Sequence, residues 1–201
     1  MIRIQTIFFG LAVALAIAAA VLVWQVGGGG AGFGSNASER VAVGGPFHLI
    51  DQNGRARSDR DFRGRWMLVY FGYSYCPDVC PTTLQEITDA LRGLGGKGQD
   101  VVPVFITLDP ARDHPATLRK YLAAFSPRFV GLTGSSEQIA SVARAYHVYF
   151  AKHPLPGGNY SVDHASTIYL MAPDGQFVGI LGDQDGVRAL ERDLANRLPV
   201  S

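Results

Sequence analysis

Both cysteines of the chain lie in one short segment, "YFGYSYCPDVCPTTLQEI" (Tyr70 to Ile87), with Pro77, Asp78 and Val79 between Cys76 and Cys80 and Pro81 directly after. Two thiols this close support two chemistries: a reversible disulfide, or joint capture of a soft metal ion. A purely structural bridge is a poor explanation, because closing so small a loop removes little chain entropy. The segment reads as a buried strand passing into a helix. Amide groups at a helix start favour anions, so the turn is expected to stabilise thiolate, lower thiol pKa and raise metal affinity. Pro77 and Pro81 restrict the loop and limit the entropy lost when two sulfurs converge.

A cysteine pair alone does not choose between disulfide and metal; a third ligand would. The chain offers His48, His114, His147, His153 and His164. His48 falls in a strand, His114 in the polar loop "PARDHPAT", and His147 and His153 border a helix end and a Gly/Pro loop. None of these four positions calls for a function. His164 differs: it lies in "YSVDHAST", immediately ahead of the buried strand Thr167 to Met171. A strand, cysteine turn and helix in succession are what thioredoxin-like domains use, with C-x-x-C where this chain has C-x-x-x-C. In those domains the loop before the corresponding strand faces the cysteine turn and carries a cis-proline. Here that loop has no proline and has a histidine instead. Asp163 beside it is either a residue that orients the imidazole or a plain loop acid.

The elements that would position these groups are legible from periodicity and turn residues. "PFHLID" followed by Gln52-Asn53-Gly54-Arg55 reads as a strand entering a hairpin. "RWMLVYFGY" (Arg65 to Tyr73) and "VVPVFITLDP" (Val101 to Pro110) are apolar runs expected of strands buried on both faces, with Pro103 at the beginning of the second. Between them a helix begins at Pro81, with Thr83 and Glu86 as a capping pair. It carries Leu84, Ile87, Leu91 and Leu94 at helical spacing and stops at Gly95-Gly96. A helix over about Pro115 to Phe125, a short strand "RFVGLTG" and a helix opened by Ser135 or Ser136 follow. Two strands around Pro173-Asp174-Gly175 and a last helix over roughly Asp185 to Arg197 close the chain. The pattern predicts an α/β three-layer sandwich.

Composition narrows the function. The formal net charge is +1 and no stretch concentrates Lys or Arg, so nucleic acid is not an expected partner. From Ile4 to Val26 the chain carries no charge, and Arg3 precedes the run. About 20 apolar residues cross a bilayer, so residues 1–26 are read as a membrane anchor. The run continues to Val26 without a polar end, which favours an anchor over a cleaved signal peptide with small residues at Ala18 to Ala20. Residues 27–40 are a Gly-rich tether, and residues 41–201, about 160 residues, make one domain. The next basic residue is Arg40, so the positive-inside bias puts the domain outside the cytoplasm.

"FGYSYCPDVCPTTL", "TLDPARDHP", "FVGLTGSSEQI" and "VDHASTIYLMAPDG" together resemble the Sco/SenC family of copper-binding, membrane-tethered thioredoxin-like proteins. The resemblance runs from about Pro46 to Arg197, in order. It implies a thioredoxin-like fold behind an N-terminal transmembrane helix, and Cys76, Cys80 and His164 as the ligands of copper, Cu(I) or Cu(II). The role it implies is that of a copper metallochaperone for cytochrome c oxidase subunit II or another copper-receiving protein. Its place would be the periplasmic side of a bacterial inner membrane. Two thiolates and an imidazole suit copper, whereas structural zinc would want a fourth protein ligand. A thiol–disulfide oxidoreductase acting on the cysteines of a copper-receiving partner is the alternative.

Overall fold

The computed structural model describes residues 42–181 and 186–199, together with residue 17. Apart from residue 17, the predicted anchor (1–26) and tether (27–40) lie outside the described residues. Among the described residues no helix is long and apolar enough to cross a membrane.

The first strands of the described domain form an antiparallel hairpin of β1 (His48–Asp51) and β2 (Ala56–Ser58), turning at Gly54 with φ +77°. The buried Asp51 carboxylate ties the turn, accepting the N–H groups of Asn53 and Arg55 and the Arg57 Nε, each at 2.9 Å. β3 (Trp66–Gly72) and β4 (Val101–Thr107) pair in parallel at the centre of the sheet. β5 (Val130–Thr133) extends it beyond β4. The β4–β5 ladder starts at Val104, so Pro103 precedes it and its missing N–H costs no bond there. β8 (Ile168–Met171) runs antiparallel beside β3, and β9 (Phe177–Leu181) forms the far edge, giving the order β2-β1-β5-β4-β3-β8-β9.

Alternation along β3 distributes the side chains to two faces. Tyr70 meets Phe105, which in turn meets Tyr121 next to the end of helix α3 (Pro115–Leu122). Helix α1 (Val79–Gly93) covers the same face through Cys80, Leu84, Ile87 and Leu91. A single turn, α2 (Gly96–Gln99), follows it. Phe71 points the other way, onto Tyr146 at the end of helix α4 (Ser136–Ala145) and onto Tyr169. Ser135 caps α4, its hydroxyl taking the Gln138 N–H while Gln138 Oε1 takes the Ser135 N–H. Helix α5 (Gly186–Arg197) packs on α1. A mixed sheet with helices on both faces is the predicted architecture.

Three details depart from the sequence reading. Helix α1 begins at Val79, ahead of Pro81, which is tolerated in the first turn because that N–H has no partner within the helix. Thr83 is consequently inside the helix, donating to the Val79 carbonyl at 3.0 Å, and forms no capping pair with Glu86. Finally, the segment expected to be a Gly/Pro loop is a second, two-stranded sheet, β6 (Phe150–Pro154) against β7 (Tyr160–His164). Its strands alternate too weakly and are too exposed to leave a periodicity signal.

Candidate metal centre

β3 ends at Gly72, and the next residues turn into α1. Gly72 is forced by what passes over it: a Cβ there would lie 2.9 Å from Cys80 Sγ, 3.0 Å from Phe105 Cε2 and 3.3 Å from Tyr70 Cε1. Cys80, the second residue of α1, is fully buried. Cys76, in the turn before, is half-buried, and its sulfur accepts the Cys80 backbone N–H at 3.4 Å. Both are free thiols. The turn is pinned from the opposite side by the buried carboxylate of Asp113. It accepts the Ser74 N–H at 2.9 Å, the Ser74 hydroxyl, and the Thr107 hydroxyl at 2.6 Å.

The third group arrives on the hairpin. His164, the last residue of β7, sets Nε2 3.3 Å from Cys80 Sγ. Its Nδ1 lies 3.0 Å from the Ala165 carbonyl, which can only accept, so Nδ1 carries the proton and Nε2 presents its lone pair to the sulfurs. The ring stands edge-on to Tyr70 and Tyr73, with centroids 6.3 Å and 6.0 Å away. Burial lowers the His164 pKa, against the Ala165 carbonyl and the Asp163 charge, which keeps the imidazole neutral and able to donate its lone pair. Asp163 does not orient this ring. Strand alternation turns it outward, where it pairs with His153 at 3.0 Å.

One donor atom from each of Cys76, Cys80 and His164 lies within 4.8 Å of the other two, and no other such group occurs among the described residues. Separations of this order suit one ion held by bonds of about 2.0–2.3 Å. The expectation of a lowered thiol pKa fails at Cys80. Burial is the largest influence, and with the neighbouring Cys76 sulfur it pushes the thiol up to about 12 despite the helix start and a Tyr73 backbone hydrogen bond. The other histidines stand apart: His48 and His114 are exposed, His147 contacts the Ala42 carbonyl at 3.1 Å, and His153 is taken by Asp163. Gly72, Asp113 and the Ala165 carbonyl escaped the sequence reading. Only Asp113, within "TLDPARDHP", carried a signal, as an acid close after a buried strand.

The fold and site define a class: thioredoxin-like α/β domains with a thiol pair where the first long central strand meets its helix. The family model described as SCO1/SenC matches residues 35–198, and this chain belongs to that family. It is 46% identical over 147 residues to the bovine (Bos taurus) mitochondrial protein SCO2 homolog, covering 71% of this chain and 55% of that relative. The chain thus spans little more than half the length of that relative. Bradyrhizobium japonicum ScoI, solved with copper bound, superposes with a TM-score of 0.73 at 44% identity, covering 78% of this chain and all of that one (100%). BsSco, a member of the Sco family of cytochrome c oxidase assembly proteins with a disulfide switch, gives 0.61 at 26% identity over 77% of this chain and 92% of its own.

Proposed function

We propose that this protein is a copper carrier that holds its cargo on Cys76 Sγ, Cys80 Sγ and His164 Nε2 and passes it to a copper-receiving protein in cytochrome c oxidase assembly, with subunit II as the recipient. The observation that carries this reading is the approach of a lone-pair imidazole nitrogen to 3.3 Å from a buried thiol sulfur. Thiol exchange has no use for it; a soft metal ion does. Binding displaces the thiol protons, so loading requires the reduced pair. The domain at 41–201 is held at the outer face of a bacterial inner membrane by the anchor at 1–26 through the tether at 27–40. This rests on the uncharged run behind Arg3.

Titration of the reduced domain with Cu(I) and Cu(II), followed by absorption and EPR, tests the assignment. In His164→Ala two thiolates remain, which hold Cu(I) linearly but support Cu(II) poorly. The expected result is loss of the Cu(II) signal with a smaller loss of Cu(I), while His153→Ala keeps both. An intact Cu(II) spectrum in His164→Ala would refute the ligand set.

A second reading draws on the proximity of the two sulfurs and the partial exposure of Cys76. Cys76 thiolate would attack a partner disulfide, and Cys80 would then displace the partner thiol, leaving a Cys76–Cys80 disulfide and a reduced partner.

A further inference from the structure

The two halves of the site belong to different sheets. The thiols sit in the turn and helix start that follow β3 of the seven-stranded sheet, and His164 sits at the end of the β6–β7 hairpin, which pairs with no strand of that sheet. A lone two-stranded hairpin is marginally stable in water, so side chains must hold the imidazole in place. One loop, Asp109 to Asp113, touches both halves. Asp113 binds the cysteine turn through Ser74. Asp109, fully buried, binds the hairpin: its carboxylate accepts the Tyr160 hydroxyl at 2.8 Å and pairs with Lys152 at 3.2 Å and with Arg112.

Arg112 closes the arrangement. Its Nη1 donates to Asn159 Oδ1 at 3.0 Å and to the Tyr160 carbonyl at 3.1 Å, both at the start of β7. Its guanidinium carbon lies 3.8 Å from the Tyr160 ring centroid, 4.8 Å from that of Tyr75 and 5.8 Å from that of Tyr73. Tyr73 and Tyr75 belong to the cysteine turn; Tyr160 begins the strand that His164 ends. A single cation is therefore shared by rings from both halves, while its hydrogen bonds fix the hairpin to the loop that anchors the turn.

We propose that Arg112 is a positioning residue that locks the imidazole half of the site against the thiol half, and so sets whether His164 reaches the cargo. The effect on copper rests on the carrier reading above; the effect on the hairpin does not. Arg112→Met removes the charge and fork and leaves Ser74–Asp113 and the cysteine pair intact. Arg112→Lys keeps the charge and the pair with Asp109 but cannot also span to Asn159 and Tyr160.

Amide exchange is measured in the reduced, metal-free protein, and Cu(II) nitrogen hyperfine coupling and Cu(I) affinity in the loaded one. In Arg112→Met, exchange at Ser161 and Asp163, whose N–H groups face β6, is expected to rise at least about tenfold relative to β3 and β4. The nitrogen coupling should weaken, with Cu(I) affinity falling much less; Arg112→Lys should lie between. A merely destabilising change would raise exchange across the whole domain and leave the coupling of folded molecules unaltered, and that outcome overturns the proposal. So does wild-type exchange in β7 of either variant. If Arg112→Met does not fold, Arg112→Lys decides by the same two measurements. Selective loosening of β7 in a protein whose wild type lacks nitrogen coupling would sustain the clamp and refute the carrier reading instead.

Discussion

Gly72→Ala tests how tightly the sheet is fitted to the thiol site. The added methyl would start 2.9 Å from Cys80 Sγ and 3.0 Å from Phe105 Cε2, against a comfortable separation of about 3.5–4.0 Å. The sulfur must therefore retreat by roughly 0.6–1 Å. Cys80 is anchored in the first turn of α1, so only χ1 rotation or a shift of the helix start can supply that movement. Either one changes the distance to His164 Nε2. Overpacking of this kind costs about 1–3 kcal/mol. At about 2–4 °C of Tm per kcal/mol for a domain of this size, the melting temperature of the reduced protein should fall by about 2–12 °C. Gly96→Ala is the control: nothing lies within 4 Å of its added Cβ and its φ is not positive, so Tm should hold or rise slightly. Calorimetry on the reduced proteins, followed by Cu(I) competition with a chelator, reads both effects. Equal Tm for Gly72→Ala and wild type, with unchanged Cu(I) affinity, would refute the close fit.

Asp51 gives a pH prediction remote from the site. Burial would raise its pKa, but the backbone N–H of Arg55, the Arg57 guanidinium and the Asn53 N–H outweigh burial and hold the carboxyl below the usual range. Its stabilisation is thus present above the unfolded-state value of about 3.9 and is lost as pH falls through the folded-state value. Asp51→Asn should lower Tm at pH 7 and flatten its decline below pH about 4; an unaltered acid slope would count against the assignment. The cysteine pair gives another: mild oxidation should mask both thiols from alkylation and abolish copper binding, and oxidised protein that binds copper as tightly as reduced protein would show that the sulfurs are not shared.

The main sheet and the thiol pair were legible because burial on both faces leaves unbroken apolar runs at β3 and β4, and because a cysteine pair at a strand–helix turn has few other uses. His164 was legible by contrast with the proline expected at its position and by its place in the family-like "VDHAS". Three things were hidden for physical reasons. The β6–β7 hairpin is half-exposed and short, so its residues face no consistent pair of environments. The oriented imidazole depends on the Ala165 carbonyl, and backbone carbonyls have no residue signature. The thiol pKa was misjudged because local helix geometry is visible in sequence, whereas the Phe105 and Tyr70 side chains that bury Cys80 come from tertiary packing.

The two halves of the centre are held with unequal strength, and this bears on how cargo could leave. Cys80 belongs to a helix packed on the central sheet, with Gly72 and Phe105 beneath it. His164 belongs to a hairpin attached through Asp109, Arg112 and Tyr160 and through the buried side chain of Val162. The local free energy of opening follows burial and contact density, so the hairpin opens well before α1 does. On the carrier reading proposed above, a recipient approaching the half-exposed Cys76 would meet a site in which the imidazole is the contact most easily given up and the buried sulfur the last. Transfer in that order would never leave the ion without two ligands. It would also place the control of release in the loop from Asp109 to Asp113, which is fastened to both sheets.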